Sequence, residues 1–350
     1  MFADLATLSA AALLAIPADR PERLFQGRHD EIREVYRQLA MRWHPDRAGD
    51  ADAQSVFQHI QRLYRQAGER IARGAWTCPG TSTFDALDGR RYEMHYLRRH
   101  RFELGIMYVA GSVLAFEIDL THADLVYRAE RSIAGLRYAD AGMRAQIAPH
   151  LPAYPFTAAF QTASAYVIVM RKAPGLLLLR DVLDHAGGRL DARHVAWVVS
   201  SLLNLCCYLQ YAGLAHNALS PDTCFLAPRD HSVSILGGWW YAARVGERLA
   251  AAPAGTLAWG PHDLGETGLA DPRTDLELVR AIGRELLGDV SGTRLARENA
   301  AKQAMINWLR LPASDNPIEE YRTWRTRVLH DSFGARRFAE LPLTQSDIYR

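Results

Sequence analysis

Cysteine is scarce. There are four in 350 residues, Cys78, Cys206, Cys207 and Cys224, and no two have the spacing of a metal knuckle. Cys206 and Cys207 fall inside an apolar helical pattern, where small core residues belong. A disulfide or zinc framework is therefore not what organises the chain, and a reducing cytoplasmic setting is expected. Net charge is nearly absent too, at +2. That argues against nucleic acid or an anionic membrane as a partner of the whole surface, so an electrostatic partner must be met by a local patch. No unbroken apolar run reaches about 18 residues, which argues against a spanning helix. The alanine-rich opening, Met1 to Ile16, lacks a basic leading region and is interrupted by Asp4. It reads as a helix packed on a neighbouring domain rather than as a secretion signal. No cofactor set or metal-ligand set stands out, and His185, His194 and His262 show no ligand pattern.

What is present is an ordinary globular balance, 49% hydrophobic and 23% charged, at a length that favours two domains or more. Asp19-Arg20-Pro21-Glu22 has the form of a helix start, with Leu24 and Phe25 as its buried residues. A second helix opens at Asp30. Its apolar residues Ile32, Val35, Tyr36, Leu39, Ala40 and Trp43 recur at helical spacing, and Arg33, Arg37, Gln38 and Arg42 lie on the other side. His44-Pro45 ends it, because proline disfavours helical geometry in the residue before it. After a loop containing Gly49, Val56, Phe57, Ile60, Leu63, Tyr64 and Ala67 mark a third helix. Two antiparallel helices with a polar tip form a small hairpin.

The run Tyr36-Arg37-Gln38-Leu39-Ala40-Met41-Arg42-Trp43-His44-Pro45-Asp46-Arg47, followed by the apolar pattern of the third helix, resembles the J-domain of DnaJ-type co-chaperones. The resemblance covers about one fifth of the chain. It implies docking on a DnaK-type heat-shock chaperone and stimulation of that partner's ATP hydrolysis. By motif match, Arg37, Arg42 and Arg47 would supply electrostatic docking, with Arg33 contributing less. His44 would orient the turn, Pro45 would stiffen it, and Asp46 would make the decisive charged contact. Gln38 departs from the pattern, since many family members carry lysine there.

Residues 72–90 lose periodicity and collect Gly74, Pro79, Gly80, Thr81, Ser82 and Thr83, the composition of a linker. Strands are expected at 92–97, 102–109 and 112–118, a helix at 124–138, and two further strands within 158–170. Beyond Gly175 the pattern is helical. It comprises a short helix at 178–185, a long apolar one at 191–212 and another at 275–287, with a strand at 232–236 between them. The expected domains are a J-domain at 1–73, a linker at 74–90, a small sheet with one helix at 91–172, and a helical lobe at 173–350.

The order from residue 91 onward, together with HNALSPDTCFL at 216–226, VSILGGW at 233–239 and DLELVRAIGRELLG at 275–288, resembles the protein-kinase fold. The whole chain then reads as multi-domain, an all-α J-domain followed by an α+β bilobal kinase-like fold. Phosphoryl transfer needs a lysine on the phosphates, a catalytic carboxylate and magnesium ligands. On this resemblance those positions hold Ala115, Ala218, Thr223 and Gly237, and no glycine-rich loop precedes them. Scaffold positions persist as Glu130, His216 and Asp275. The resemblance thus implies a pseudokinase, not an enzyme.

Several stretches keep two readings. Arg98, Arg99, His100 and Arg101 form either an anion site or a basic solvated turn. Trp239-Trp240 either fill a vacated cleft or present a peptide-binding face. Residues 333–338 form either a partner patch or a helix cap at Gly334 with an extended strap, the strap being preferred. The leading functional expectation is a co-chaperone whose kinase-like part binds an unknown client or target. The alternatives are a divergent kinase or nucleotide transferase, and an assembly scaffold that uses the J-domain only as an interaction module.

Overall fold

The computed structural model describes residues 8–25, 29–45, 52–72, 80–335 and 339–349. The chain divides into two compact units, one of residues 1–102 with 106–111 and one of 103–105 with 112–350.

In the first unit, helix α1 (Ala10–Leu14) is capped by Ser9, whose hydroxyl accepts from the amide of Ala12 at 3.2 Å. Helices α2 (His29–Arg42) and α3 (Ala53–Ala72) form the expected hairpin. Ile32, Leu39 and Trp43 of the α2 segment meet Val56, Ile60, Leu63 and Ala67 of α3 in one core. Their three- and four-residue spacing places each set on a single helix face. Helix α1 packs on α3 and contributes Leu13 to this same core. The expected helix at Pro21 is a single 3-10 turn, Pro21–Arg23, but Leu24 and Phe25 are buried as expected.

The linker reading fails over 80–90. Strand β1 (Gly80–Asp85) pairs antiparallel with β2 (Arg91–Tyr96), Gly80 opposite Tyr96 and Asp85 opposite Arg91. Gly89, at φ 83°, closes the connection. Strand β3 (Arg98–Phe102) takes up the basic run, so Arg98 to Arg101 are strand residues and not a turn. The long strand expected at 102–109 begins only at Gly105, as β4 (Gly105–Val109). The rings of Phe84, Tyr96 and Tyr108 pack together at 5.2 and 5.7 Å.

The second unit opens with β5 (Val113–Asp119). The chain continues through α4 (Ala123–Ala134) and α5 (Ala141–Ile147) to β6 (Ala158–Gln161) and β7 (Ala165–Arg171). β7 lies between β5 and β6, antiparallel to both, with Ala115 opposite Val169 and Phe116 opposite Ile168. Strand β8 (Leu177–Leu178) leads into α6 (Leu179–His185) and then α7 (Ala192–Ala212). By length and composition α7 is apolar enough to cross a membrane. Its buried residues, Val195, Val199, Leu202, Leu203 and Leu209 among them, belong to the core built with the helices that follow.

Short strands β9 (Leu214–Ala215), β10 (Cys224–Ala227), β11 (Ser232–Ile235) and β12 (Ala243–Arg244) come next. β10 lies between β11 and β8, and β12 pairs with β9. The remaining helices are α8 (Ala254–Trp259), α9 (Leu264–Thr267), α10 (Pro272–Leu286), α11 (Gln303–Arg310), α12 (Pro317–Thr323), α13 (Leu329–Phe333) and α14 (Gln345–Ile348). α7 packs on α10 and α12. α10 starts three residues before the expected position, because Asp271 caps it and Pro272 fits its first turn. Gly334 caps α13 as expected; the rest of the 333–338 patch beyond Ala335 lies outside the described residues. Near the chain end, the Tyr349 hydroxyl accepts from the Leu178 amide at 2.9 Å.

Candidate functional site

On the first unit, the hairpin places its charged residues on the face opposite the core. Arg33, Arg37, Gln38 and Arg42 are exposed. Arg37 lies 3.4 Å from Glu34, an exposed pair three residues apart, and Gln38 donates to the same carboxylate at 3.2 Å. Such a pair is weak and yields easily to a competing carboxylate. The guanidinium of Arg42 sits over the Trp43 ring, 5.2 Å from its centroid.

The Trp43 amide makes the closing helical bond, to Leu39 at 2.9 Å, and Pro45 then has no N–H with which to continue. His44 meets the Phe57 ring edge-on at 5.5 Å, so α3 orients the first residue of the turn. Tyr36 stacks on Tyr64 at 4.1 Å, fixing α2 against α3 about two turns further back. Pro45 is exposed. Asp46 and Arg47 lie outside the described residues.

In the second unit, residues widely separated in sequence converge on one loop. Asp275, at the start of α10, accepts from the amides of His216 at 2.7 Å and Asn217 at 2.8 Å. Burial pushes its pKa up to about 7 against the pull of those two donors. Nε2 of His216 is 3.0 Å from the Gly237 carbonyl, so that nitrogen carries the proton. Burial lowers the His216 pKa to about 4, which keeps the ring neutral. Ala218, Thr223 and Gly237 gather beside it. The Thr223 hydroxyl donates to the Ala218 carbonyl at 2.9 Å and accepts from the Ser220 amide at 3.0 Å, so it serves its own loop.

The chain is tightly packed at Gly237 and Gly238. A Cβ on Gly237 would lie 3.1 Å from the Thr223 Cα, and one on Gly238 would lie 2.8 Å from the His216 ring. Gly238 also has φ 78°, a conformation that favours glycine. Trp239 and Trp240 are buried, so they fill the interior and do not present a peptide-binding face. Trp240 meets Phe116 of β5 at 4.7 Å. Ala115 is also buried but projects from the opposite side of β5, since successive strand residues alternate. Glu130 stands apart from this group. Its carboxylate accepts from the Tyr154 hydroxyl at 3.4 Å.

Sequence reasoning missed Asn217, which adopts φ 61°. Its side-chain amide donates to Ala215 and Tyr241, while its backbone carbonyl accepts from the Thr256 hydroxyl at 2.7 Å. The unit's buried ion pair, Arg280 with Glu320 at 2.7 Å, was missed as well. An asparagine between a histidine and an alanine carries no signal for a left-handed backbone. Two charges 40 residues apart give none for a pair.

Residues 25–68 match the sequence model of the DnaJ domain family. The chaperone protein DnaJ of Neisseria meningitidis serogroup B is 35% identical over 57 residues. That of Neisseria gonorrhoeae matches to the same extent. The matched stretch is 16% of this chain, which spans 15% of the length of these curated relatives. The helical N-terminal part is a J-domain, and a sheet-containing, helix-rich part follows it.

Proposed function

We propose that this protein is a co-chaperone that recruits a DnaK-type heat-shock chaperone through its J-domain and stimulates that partner's ATPase. One observation carries the reading: an exposed, arginine-bearing α2 runs directly into His44-Pro45, within a segment that matches the DnaJ domain family. Arg37, Arg42 and Arg47 steer an acidic partner surface, His44 and Pro45 set the turn, and Asp46 makes the coupling contact. Long-range steering of this kind governs encounter rate and orientation more than final affinity.

The sheet, α4 and the helices from α6 onward are read as a kinase-like fold without phosphotransfer chemistry of its own. Its role is to hold a protein client or target. The Asp275 bonds to the His216 and Asn217 amides, and the convergence of Ala218, Thr223 and Gly237, support this reading. In this reading Ala115 holds the place of the missing lysine, and its β5 neighbour Phe116 packs on Trp240. We place the activity in the reducing cytoplasm, in keeping with the free thiols of Cys206, Cys207 and Cys224.

Binding tests the proposal. Immobilised full-length protein is expected to capture a purified DnaK-type chaperone in the presence of ATP. Asp46→Asn is expected to lose that capture with an unchanged thermal melt. Capture that persists in Asp46→Asn would favour the scaffold alternative. A magnesium-dependent rise in melting temperature with ATP, seen without any partner, would favour the divergent enzyme.

A further inference from the structure

Glu130 has no part in the loop around His216, and its surroundings indicate another use. Tyr127 and Glu130 are three residues apart on α4 and share a face. Leu125, Val126, Ala129 and Ile133 supply the buried side of that helix, whereas Tyr127 is 53% exposed. Beside them, β7 presents Tyr166, whose ring meets that of Tyr127 edge-on at 5.8 Å. The loop before β6 adds Tyr154, 48% exposed, with its hydroxyl on the Glu130 carboxylate. The Tyr154 ring in turn meets Phe156 at 5.7 Å. Burial, then Tyr127 and Glu130, raise the Tyr166 phenol pKa, consistent with all three groups lying together.

One carboxylate therefore sits with Tyr127, Tyr154 and Tyr166 at the surface, and Phe156 packs against Tyr154. Among the described residues no arginine, lysine or histidine forms an ion pair with Glu130. Arg128 and Arg131 leave the same helix exposed and unpaired to Glu130. Aromatic faces attract cations, and a carboxylate accepts two parallel N–H bonds from a guanidinium. Arginine satisfies both, because its planar fork stacks on a ring while it pairs with the acid. Tyrosine supplies large contact area with few rotatable bonds, which suits it to carry binding energy at an interface.

We propose that Tyr127, Glu130, Tyr154, Phe156 and Tyr166 form a docking patch for an arginine side chain in a basic segment of a protein partner. The proposal rests on the client-holding role given above to the second unit, and it supplies the chemistry of the target.

The test uses full-length protein and a fluorescein-labelled peptide, Gly-Ser-Arg-Gly-Ser-Arg-Gly-Ser, followed by fluorescence polarisation. Peptides with glutamine or lysine in place of both arginines serve as controls. The arginine peptide is expected to bind at least tenfold more tightly than the glutamine peptide, and more tightly than the lysine peptide. Glu130→Gln is expected to weaken it about tenfold, and Tyr127→Ala at least threefold. Tyr127 is half exposed, so its truncation spares the fold, and Glu130→Gln preserves shape. Equal binding of arginine and glutamine or lysine peptides, or an unchanged affinity in Glu130→Gln, would overturn the proposal. Both variants keep the J-domain intact. Failure of the wild-type chain to bind the arginine peptide, with chaperone stimulation retained, would count against this patch alone. Failure of the wild-type chain to stimulate any chaperone would count against the recruiting role.

Discussion

Two amides, those of His216 and Asn217, depend on a single buried carboxylate, that of Asp275. The imidazole they hold in place is buried and neutral, its pKa pushed down by burial from 6.5 to about 4. Above pH 6.5 this ring is neutral whether the chain is folded or not, so it adds no pH dependence there. As pH falls from 6.5 towards 4 the unfolded chain takes up the proton first, and stability is lost. Asp275 acts in the opposite sense. Its folded pKa is raised from 3.8 to about 7 by burial, so its contribution declines as pH rises through that interval. Comparison with His216→Leu isolates the histidine. The stability difference between wild type and variant, measured by urea unfolding, is expected to shrink by about 2 kcal/mol between pH 7 and pH 4.5. A difference constant with pH would contradict the assignment. At this scale the sequence was legible where residues form contiguous motifs. His44-Pro45, His216 and Gly237 could be found by pattern. Which of Ala115 and Phe116 reaches Trp240 could not, because alternation defines two faces of a strand without saying which one looks inward.

Among the elements, α2 and α3 were legible because each carries one apolar stripe at helical spacing and little else competes for it. β1 was not. Its residues Gly80 to Thr83 are small and polar, and Phe84 alone in the strand is buried. Pairing with β2, not composition, makes it a strand. On α2, the exposed guanidinium groups should act at long range. Arg37→Glu combined with Arg42→Glu is expected to slow association with the chaperone about tenfold at low salt, and less at high salt. Stopped-flow mixing at two ionic strengths measures this, and an unchanged rate would remove α2 from the docking face. In the second unit, Arg280 of α10 joins α12 to α11. It donates to Glu320 at 2.7 Å and to the Trp308 carbonyl, with its guanidinium 3.9 Å from the Trp308 ring centroid. Both charges are buried. Arg280→Met leaves Glu320 without its partner and should cost about 3–5 kcal/mol. The double variant with Glu320→Leu should recover most of that loss in a denaturant melt. No recovery would show that the pair does not act as a unit.

For the molecule as a whole, the two units divide the labour in the proposed reading. The J-domain supplies the surface that acts on a partner, and the larger unit holds what is to be acted upon. Joining them in one chain raises the local concentration of chaperone near the target without any new contact. In the proposed reading, any catalysis controlled by this protein takes place in that partner and is controlled through the His44-Pro45-Asp46 turn. Single-turnover ATP hydrolysis by a purified DnaK-type chaperone tests it most directly, measured alone, with the wild-type chain and with Asp46→Asn. Wild type is expected to accelerate hydrolysis and the variant is not, at equal folded concentration. Equal acceleration by both, or by neither, would contradict that reading.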